Sequence, residues 1–171
     1  MQTFMPFPSF SGSIRVLDNK RLGKQRVEAW QIYQALTVPD YGWKNHPAVK
    51  MWRGYELALV IYGLRCCAEW EHRGFVDNMA TRFRDAFKRM ATDNHDALVT
   101  SPPWMGNHLF HQSHRSNLLR KDPEHYKDLF EPGLPDDLPY VWPPETIDHR
   151  DWPLKIHHHS KAKIKMKGLN V

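Results

Sequence analysis

Residues 47–73, PAVKMWRGYELALVIYGLRCCAEWEHR, carry the clearest helical pattern in the chain. Ala48, Met51, Trp52, Tyr55, Leu59, Tyr62 and Cys66 recur mostly at steps of three and four, which lays one apolar stripe along a helix. Pro47 suits a first helical position, where no backbone donor is needed. Gly74, just past Arg73, suits a stop. The pattern predicts a single helix over 47–73, and such a stripe needs other apolar faces to cover it. The flanking segments supply them. Leu22, Ala29, Tyr33 and Leu36 predict a helix capped by Ser13 and running to about residue 37, where Pro39, Asp40 and Gly42 break it. Phe83, Ala86, Phe87 and Met90 predict an inward face on a third helix over about 77–97, stopped by Ser101-Pro102-Pro103. Residues 106–121 predict a shorter fourth helix. Asp122-Pro123 ends it, and Pro123 opens a last turn towards Phe130.

Strand patterns are weak throughout, so the expected class is all-α, a compact single-domain helical bundle. Residues 1–12 place Pro6, Pro8 and Gly12 among bulky apolar residues, as in an extended arm that packs down. Residues 131–153 are proline-rich and hold six Asp or Glu against one Arg. They read as a wrap anchored by Tyr140, Trp142 and Trp152. The tail 155–171 has five lysines, three histidines and no acid. It reads as a flexible basic arm, so the chain divides into a domain over 1–153 and a tail over 154–171.

With 171 residues, 41% hydrophobic and seven tryptophans, the chain can build one sizeable core. Its net charge of +5 favours an anionic partner, nucleic acid first. No apolar run reaches the ~18 residues of a membrane span, and MQTFMPFPSF lacks the charged start and apolar run of a signal peptide. Cys66 and Cys67 are the only cysteines and are adjacent, so neither a disulfide nor a thiolate zinc site is expected. These features fit a cytoplasmic monomer without a membrane partner.

Three stretches can carry chemistry. In RLGKQRVEAWQ, residues 21–31, Arg21, Lys24 and Glu28 fall at i, i+3 and i+7 and share a helix face, with Arg26 to the side. Spacing leaves two readings open. One is a solvated face with Lys24 and Glu28 paired at i+4. The other is a phosphate grip that keeps one acid for chemistry, since an acid beside phosphates weakens binding. In HLFHQSHRSNLLRK, residues 108–121, the histidines His108, His111 and His114 step by three, which drifts about 60° per step around a helix. No acid joins them, so no metal is expected. His114, Arg115, Asn117, Arg120 and Lys121 suit phosphate and base contacts better, the plainer alternative being a polar face with one histidine in the core. In WKNHPAVKMWRGYE, residues 43–56, Asn45 is a candidate N-cap. His46 and Arg53 flank a helix start able to hold a phosphate. Trp43 and Trp52 read as core or wedge.

Taken together, VLDNKRLGKQRVEAWQI, NHPAVKMWRGYELAL, WEHRGF, SHRSNLLRKDPEHY and DLPYVWP occur in the order found in the pyrimidine-dimer DNA glycosylase family (bacteriophage endonuclease V-like, bacterial and phage branch). The resemblance spans residues 1–143 and leaves the tail outside. It rests on Leu17-Asp18, Leu22 and Glu28, on Arg73-Gly74-Phe75, and on the spacing of Leu118, Lys121, Pro123 and Tyr126. It implies an all-α glycosylase with abasic-site lyase activity. No metal or organic cofactor is implied, and the partner is double-stranded DNA bearing a damaged or modified pyrimidine. In such enzymes the chain's own α-amine attacks C1′ and an imine links protein to sugar. The family's helical glutamate matches Glu28. The resemblance thus shifts the reading of the first stretch: Glu28 becomes the acid, with Arg21, Lys24 and Arg26 around it as the grip.

Two departures stand out. The phage enzyme exposes a threonine amine, whereas here Gln2 follows Met1. Initiator Met is normally removed only before small residues, so Met1 is expected to stay and to supply the amine. α-Amines titrate near ~8, well below lysine, which leaves a useful neutral fraction. A processed Gln2 amine, Lys20 and Lys24 are the other candidates. Asn117 stands where the phage enzyme has a basic residue. A pyrimidine dimer is the first expected substrate. The alternatives are a modified base such as a hydroxymethylated pyrimidine, and a DNA-binding protein without the chemistry.

Overall fold

The computed structural model describes residues 1–93 and 100–143 and the backbone of residues 155–156. Trp152, the rest of the tail and residues 94–97 of the expected third helix lie outside the described residues. The class is all-α. The helices are α1 (Phe10–Arg15), α2 (Asn19–Thr37), α3 (Pro47–Lys50), α4 (Glu56–His72), α5 (Ala80–Asp93), α6 (His108–Lys121) and α7 (Pro123–Tyr126). Two short strands, β1 (Val141–Trp142) and β2 (Lys155–Ile156), pair antiparallel with Val141 opposite Ile156.

Helix α4 is central because its apolar stripe is wide. It buries Ala58, Leu59, Val60, Tyr62, Cys66 and Cys67 and packs on α1, α2 and α5. Gly63 brings α5 closest. A Cβ there would lie 2.3 Å from the Phe83 ring, so any side chain would push the two helices apart. Phe83 and Ala86 are buried as their spacing predicts, while Phe87 is on the outer side at 38% exposure.

The structure corrects several boundaries. The first expected helix is two. Ser9, not Ser13, caps α1 by accepting from Gly12 N at 3.1 Å. Ser13 is buried inside α1, and its hydroxyl bonds both the amide and the carbonyl of Phe7, at 3.0 and 2.9 Å. Asp18 caps α2 by accepting from Arg21 N at 3.0 Å. That carboxylate takes up a free helix donor, so the chain turns at residues 16–18 instead of continuing.

The helix expected over 47–73 is also two. Gly54 is left-handed at φ +82° and ends the α3 turn, and its N–H donates to Glu56 Oε1 at 2.9 Å. His46, not Asn45, caps α3 through Nδ1, which accepts from Ala48 N at 3.1 Å. Helix α5 starts at Ala80 because Asp77 accepts from Met79 N and Ala80 N at 2.8 and 2.5 Å. Asn107 caps α6.

The arm is extended but lies deeper than a surface strap. Gln2, Thr3, Phe4 and Met5 are all buried, between 0% and 8% exposed. The segment after α7 folds back on α6. Leu138 N–H donates to Ser116 Oγ, Val141 N–H donates to Ser113 Oγ, and Asn117 Nδ2 donates to Leu138 O.

Candidate active site

A buried extended arm needs partners for its peptide groups, because an unpaired buried amide or carbonyl is costly. The described arm has no strand beside it, and side chains of α2, α3–α4 and α6 do the work. From α2, Gln25 is fully buried. Its Oε1 accepts from Phe4 N at 2.8 Å and its Nε2 donates to Gln2 O at 3.0 Å. One side-chain amide therefore bonds the arm as a strand neighbour would. The Tyr62 hydroxyl lies 2.7 Å from Gln25 Oε1 and 3.1 Å from Phe4 O. Trp52 Nε1 donates to Thr3 Oγ1 at 2.8 Å.

Helix α6 grips the next residues. Met5 N donates to His114 Nδ1 at 3.1 Å, and Met5 O lies 2.7 Å from His111 Nδ1. His111 Nε2 accepts from Gly106 N, so Nδ1 carries the proton donated to Met5. Arg115 Nη1 donates to Pro6 O at 2.8 Å. Burial pushes His114 down from 6.5 to about 3, which keeps its ring neutral and able to accept. Burial also lowers His111, aided by the nearby Arg115 charge, while the bond to Met5 opposes the shift.

These bonds bring Met1 to the edge of a cleft of about 360 Å³. Met1, Gln2, Phe4 and Glu28 form one side. Gln2 N donates to Glu28 Oε2 at 3.2 Å, and Gln25 Nε2 lies 3.5 Å from the same oxygen. A second side is cationic, with Lys20, Arg21, Lys24 and Lys121, and a third is aromatic, with His46, Tyr140 and Trp142. The charges feel one another. Partial burial lowers the Lys121 pKa, the Arg120 and Arg21 charges lower it further, and Glu28 opposes them. Burial raises the Tyr140 hydroxyl well above its ordinary value, so it stays protonated.

The expected site residues divide on this geometry. Met1, Arg21, Lys24, Glu28, His46 and Lys121 come together at the cleft. Within that group Arg21 is already engaged. Its fork donates to Asp18 and Asp122 at 3.2 and 3.1 Å and to Lys121 O at 2.8 Å. It holds α2 to the α6–α7 corner, and Tyr126 adds a 2.6 Å bond to Asp18 there. Four others turn inward. Arg26 pairs with Asp77 and lies over the Trp70 ring at 4.3 Å. Arg115 pairs with Glu131 at 2.9 Å, His114 holds Met5, and Asn117 holds the Leu138 segment. Arg120 is exposed and donates to Asn117 Oδ1. Arg53 sits outside the cleft on the α3 turn, where it donates to Lys44 O at 3.5 Å.

Sequence reasoning missed Gln25 and Tyr62 as holders of the arm, and Tyr140 as a cleft wall. The one available signal was Gln25 itself, a polar residue three positions before Glu28 and on the side that packs inward. The arrangement sets a primary amine, a carboxylate and several cations around one opening. Such a set can add an amine to an electrophilic carbon, move protons beside it and hold phosphates. Among the described residues no three His, Cys, Asp or Glu converge as a metal site would require, and no helix is long and apolar enough to cross a membrane.

Residues 1–83 match the family model described as pyrimidine dimer DNA glycosylase. That stretch holds Met1, Gln25, Glu28 and His46, while Lys121, Tyr140 and Trp142 lie beyond it. No curated protein and no solved structure matches the chain.

Proposed function

We propose that this chain, whose residues 1–83 belong to the pyrimidine dimer DNA glycosylase family, removes a damaged pyrimidine and cuts the strand through an imine on the Met1 amine. The family is one of DNA repair glycosylases, and DNA is its substrate class. A pyrimidine dimer is the preferred lesion. The observation that carries the finer reading is the meeting of Met1 and Glu28 in one cleft, with Gln2 N–H on the Glu28 carboxylate.

The neutral Met1 amine adds to C1′ of the extruded nucleotide, and the bond from C1′ to the base breaks with the base taking a proton from water. Glu28 stabilises the cationic sugar and accepts a proton from the attacking nitrogen. Protonated Glu28 returns that proton to O4′ as the C1′–O4′ bond opens, which gives the imine and restores the carboxylate. Glu28 next removes a C2′ proton, and the C3′–O bond breaks with the 3′ phosphate as leaving group. Water then hydrolyses the imine and frees Met1. Lys20, Lys24 and Lys121 hold the flanking phosphates, and Arg21 keeps that wall in register. His46, Tyr140 and Trp142 offer ring surfaces to a base removed from the stack. Arg26, Arg115, His114 and Asn117 serve this chemistry by fixing the arm and its neighbours. Arg53 and Arg120 are left to more distant phosphates.

Borohydride reduction during reaction with an abasic duplex tests the imine, since it converts the adduct to a stable amine. A covalent complex is expected. Intact DNA binding without one would make the chain a DNA-binding protein that lacks this chemistry. Duplexes with ultraviolet dimers, oxidised pyrimidines or hydroxymethylated bases then rank the substrates, and the dimer is expected to be cut fastest.

A further inference from the structure

We infer that Trp43 is a base-stacking wedge that enters the duplex beside the cleft while a nucleotide is drawn towards Met1. The inference deepens the proposed function and rests on it for the presence of DNA.

Tryptophan ordinarily gains most by burial. Trp43 is 65% exposed, the most exposed tryptophan among the described residues. Its backbone is left-handed at φ +71°, a conformation unfavourable for a side chain with a Cβ. Asp40, three residues earlier, is left-handed too, at φ +61°. The loop between α2 and α3 thus holds an unfavourable shape that presents an indole to solvent. It is also pinned. The Trp43 carbonyl accepts from His46 N at 2.9 Å, and His46 is tied to the start of α3 through Ala48 N.

The position matters as much as the exposure. Trp43 and His46 meet edge to face with ring centroids 5.9 Å apart, and His46 meets Trp142 the same way at 6.3 Å. His46 and Trp142 both line the cleft. A row of rings therefore runs from the cleft interior to the exposed indole. Extruding a nucleotide leaves a gap in the base stack, and an aromatic or apolar wedge at that gap lowers the cost of unstacking. Lys44, exposed beside Trp43, supplies a charge suited to the phosphates of a kinked strand.

The test is permanganate oxidation of thymines in the pairs flanking a tetrahydrofuran abasic analogue, in a duplex saturated with protein. Permanganate attacks unstacked thymines, and the analogue cannot form an imine. With the unaltered chain, the flanking thymine that meets the indole is shielded relative to the free duplex. Trp43→Ala is expected to bind the duplex but to raise that thymine's reactivity about tenfold, as loss of one base–aromatic stack implies. Trp43→Phe is expected to restore most of the protection. Equal reactivity with Trp43→Ala, or no protection by the unaltered chain, overturns the wedge. Borohydride trapping on a true abasic duplex, run in parallel, keeps the two ideas separable. A Trp43-dependent footprint without an adduct sinks the imine and keeps the wedge. An adduct with a Trp43-independent footprint does the reverse.

Discussion

At the scale of single residues, Glu28 and Gln25 share one helix turn and divide the work between chemistry and position. Glu28→Gln keeps size and hydrogen bonding to Gln2 N but cannot accept a proton. Strand cleavage should fall by about 10²–10⁴ with DNA affinity retained, read by single-turnover kinetics beside a binding titration. Substantial residual lyase activity would return Glu28 to the role of a surface ion-pair partner. His114 makes a prediction about pH. Its folded pKa lies far below the usual 6.5, so the unfolded chain binds a proton that the folded chain does not. Its contribution is complete above about pH 6.5 and is lost progressively as pH falls towards 3. Denaturant midpoints should therefore drop between pH 7.5 and 5, and His111, which burial also holds below its ordinary value, adds to the fall. Asp18, Asp77 and Glu131 are held low by their hydrogen bonds against the upward push of burial, and they enter only below about pH 4.5. A flat profile from 7.5 to 5 would contradict a neutral buried His114. Little of this was legible beforehand. Spacing left Glu28 open, and the family resemblance gave it a role. His114, Arg115 and Asn117 look like surface chemistry in a sequence, because nothing in the letters shows that an arm a hundred residues away needs donors and acceptors.

Among the elements, the helical stripes were readable and the breaks between helices were not. Periodicity reports which face is apolar. A short turn that preserves the face, as at Gly54, leaves that signal intact, so α3 and α4 read as one helix. Asp18 hides in the same way between α1 and α2. Once seen, it is a junction: it caps α2, pairs with Arg21 and accepts from Tyr126. Asp18→Ala should lower stability by about 2 kcal/mol, combining a lost cap with a broken partly buried pair. The expected fall in Tm is about 4–8 °C, measurable by scanning calorimetry. A change under about 1 °C would mean that the corner is held by apolar packing alone.

The whole molecule uses its bundle to bring distant parts of the chain to one opening. The all-α class and much of the core followed from three apolar stripes, but a cleft uniting Met1, Glu28, Lys121 and Trp142 belongs to tertiary packing and has no local signature. Its cationic wall predicts salt dependence. Each lysine that meets a phosphate contributes about 0.9 to the slope of log affinity against log salt. Lys24→Ala and Lys121→Ala should each lower that slope by about this amount and weaken different DNA sequences equally. An unchanged slope would move the DNA path off this face. The central claim is that the arm, held by Gln25, His111 and His114, delivers the Met1 amine to the sugar. The most direct measurement reduces the reaction on abasic DNA with borohydride, digests the protein and locates the adduct by mass spectrometry. The adduct is expected on the α-amine of the N-terminal peptide. An adduct on a peptide carrying Lys20, Lys24 or Lys121, or none while binding persists, would contradict it.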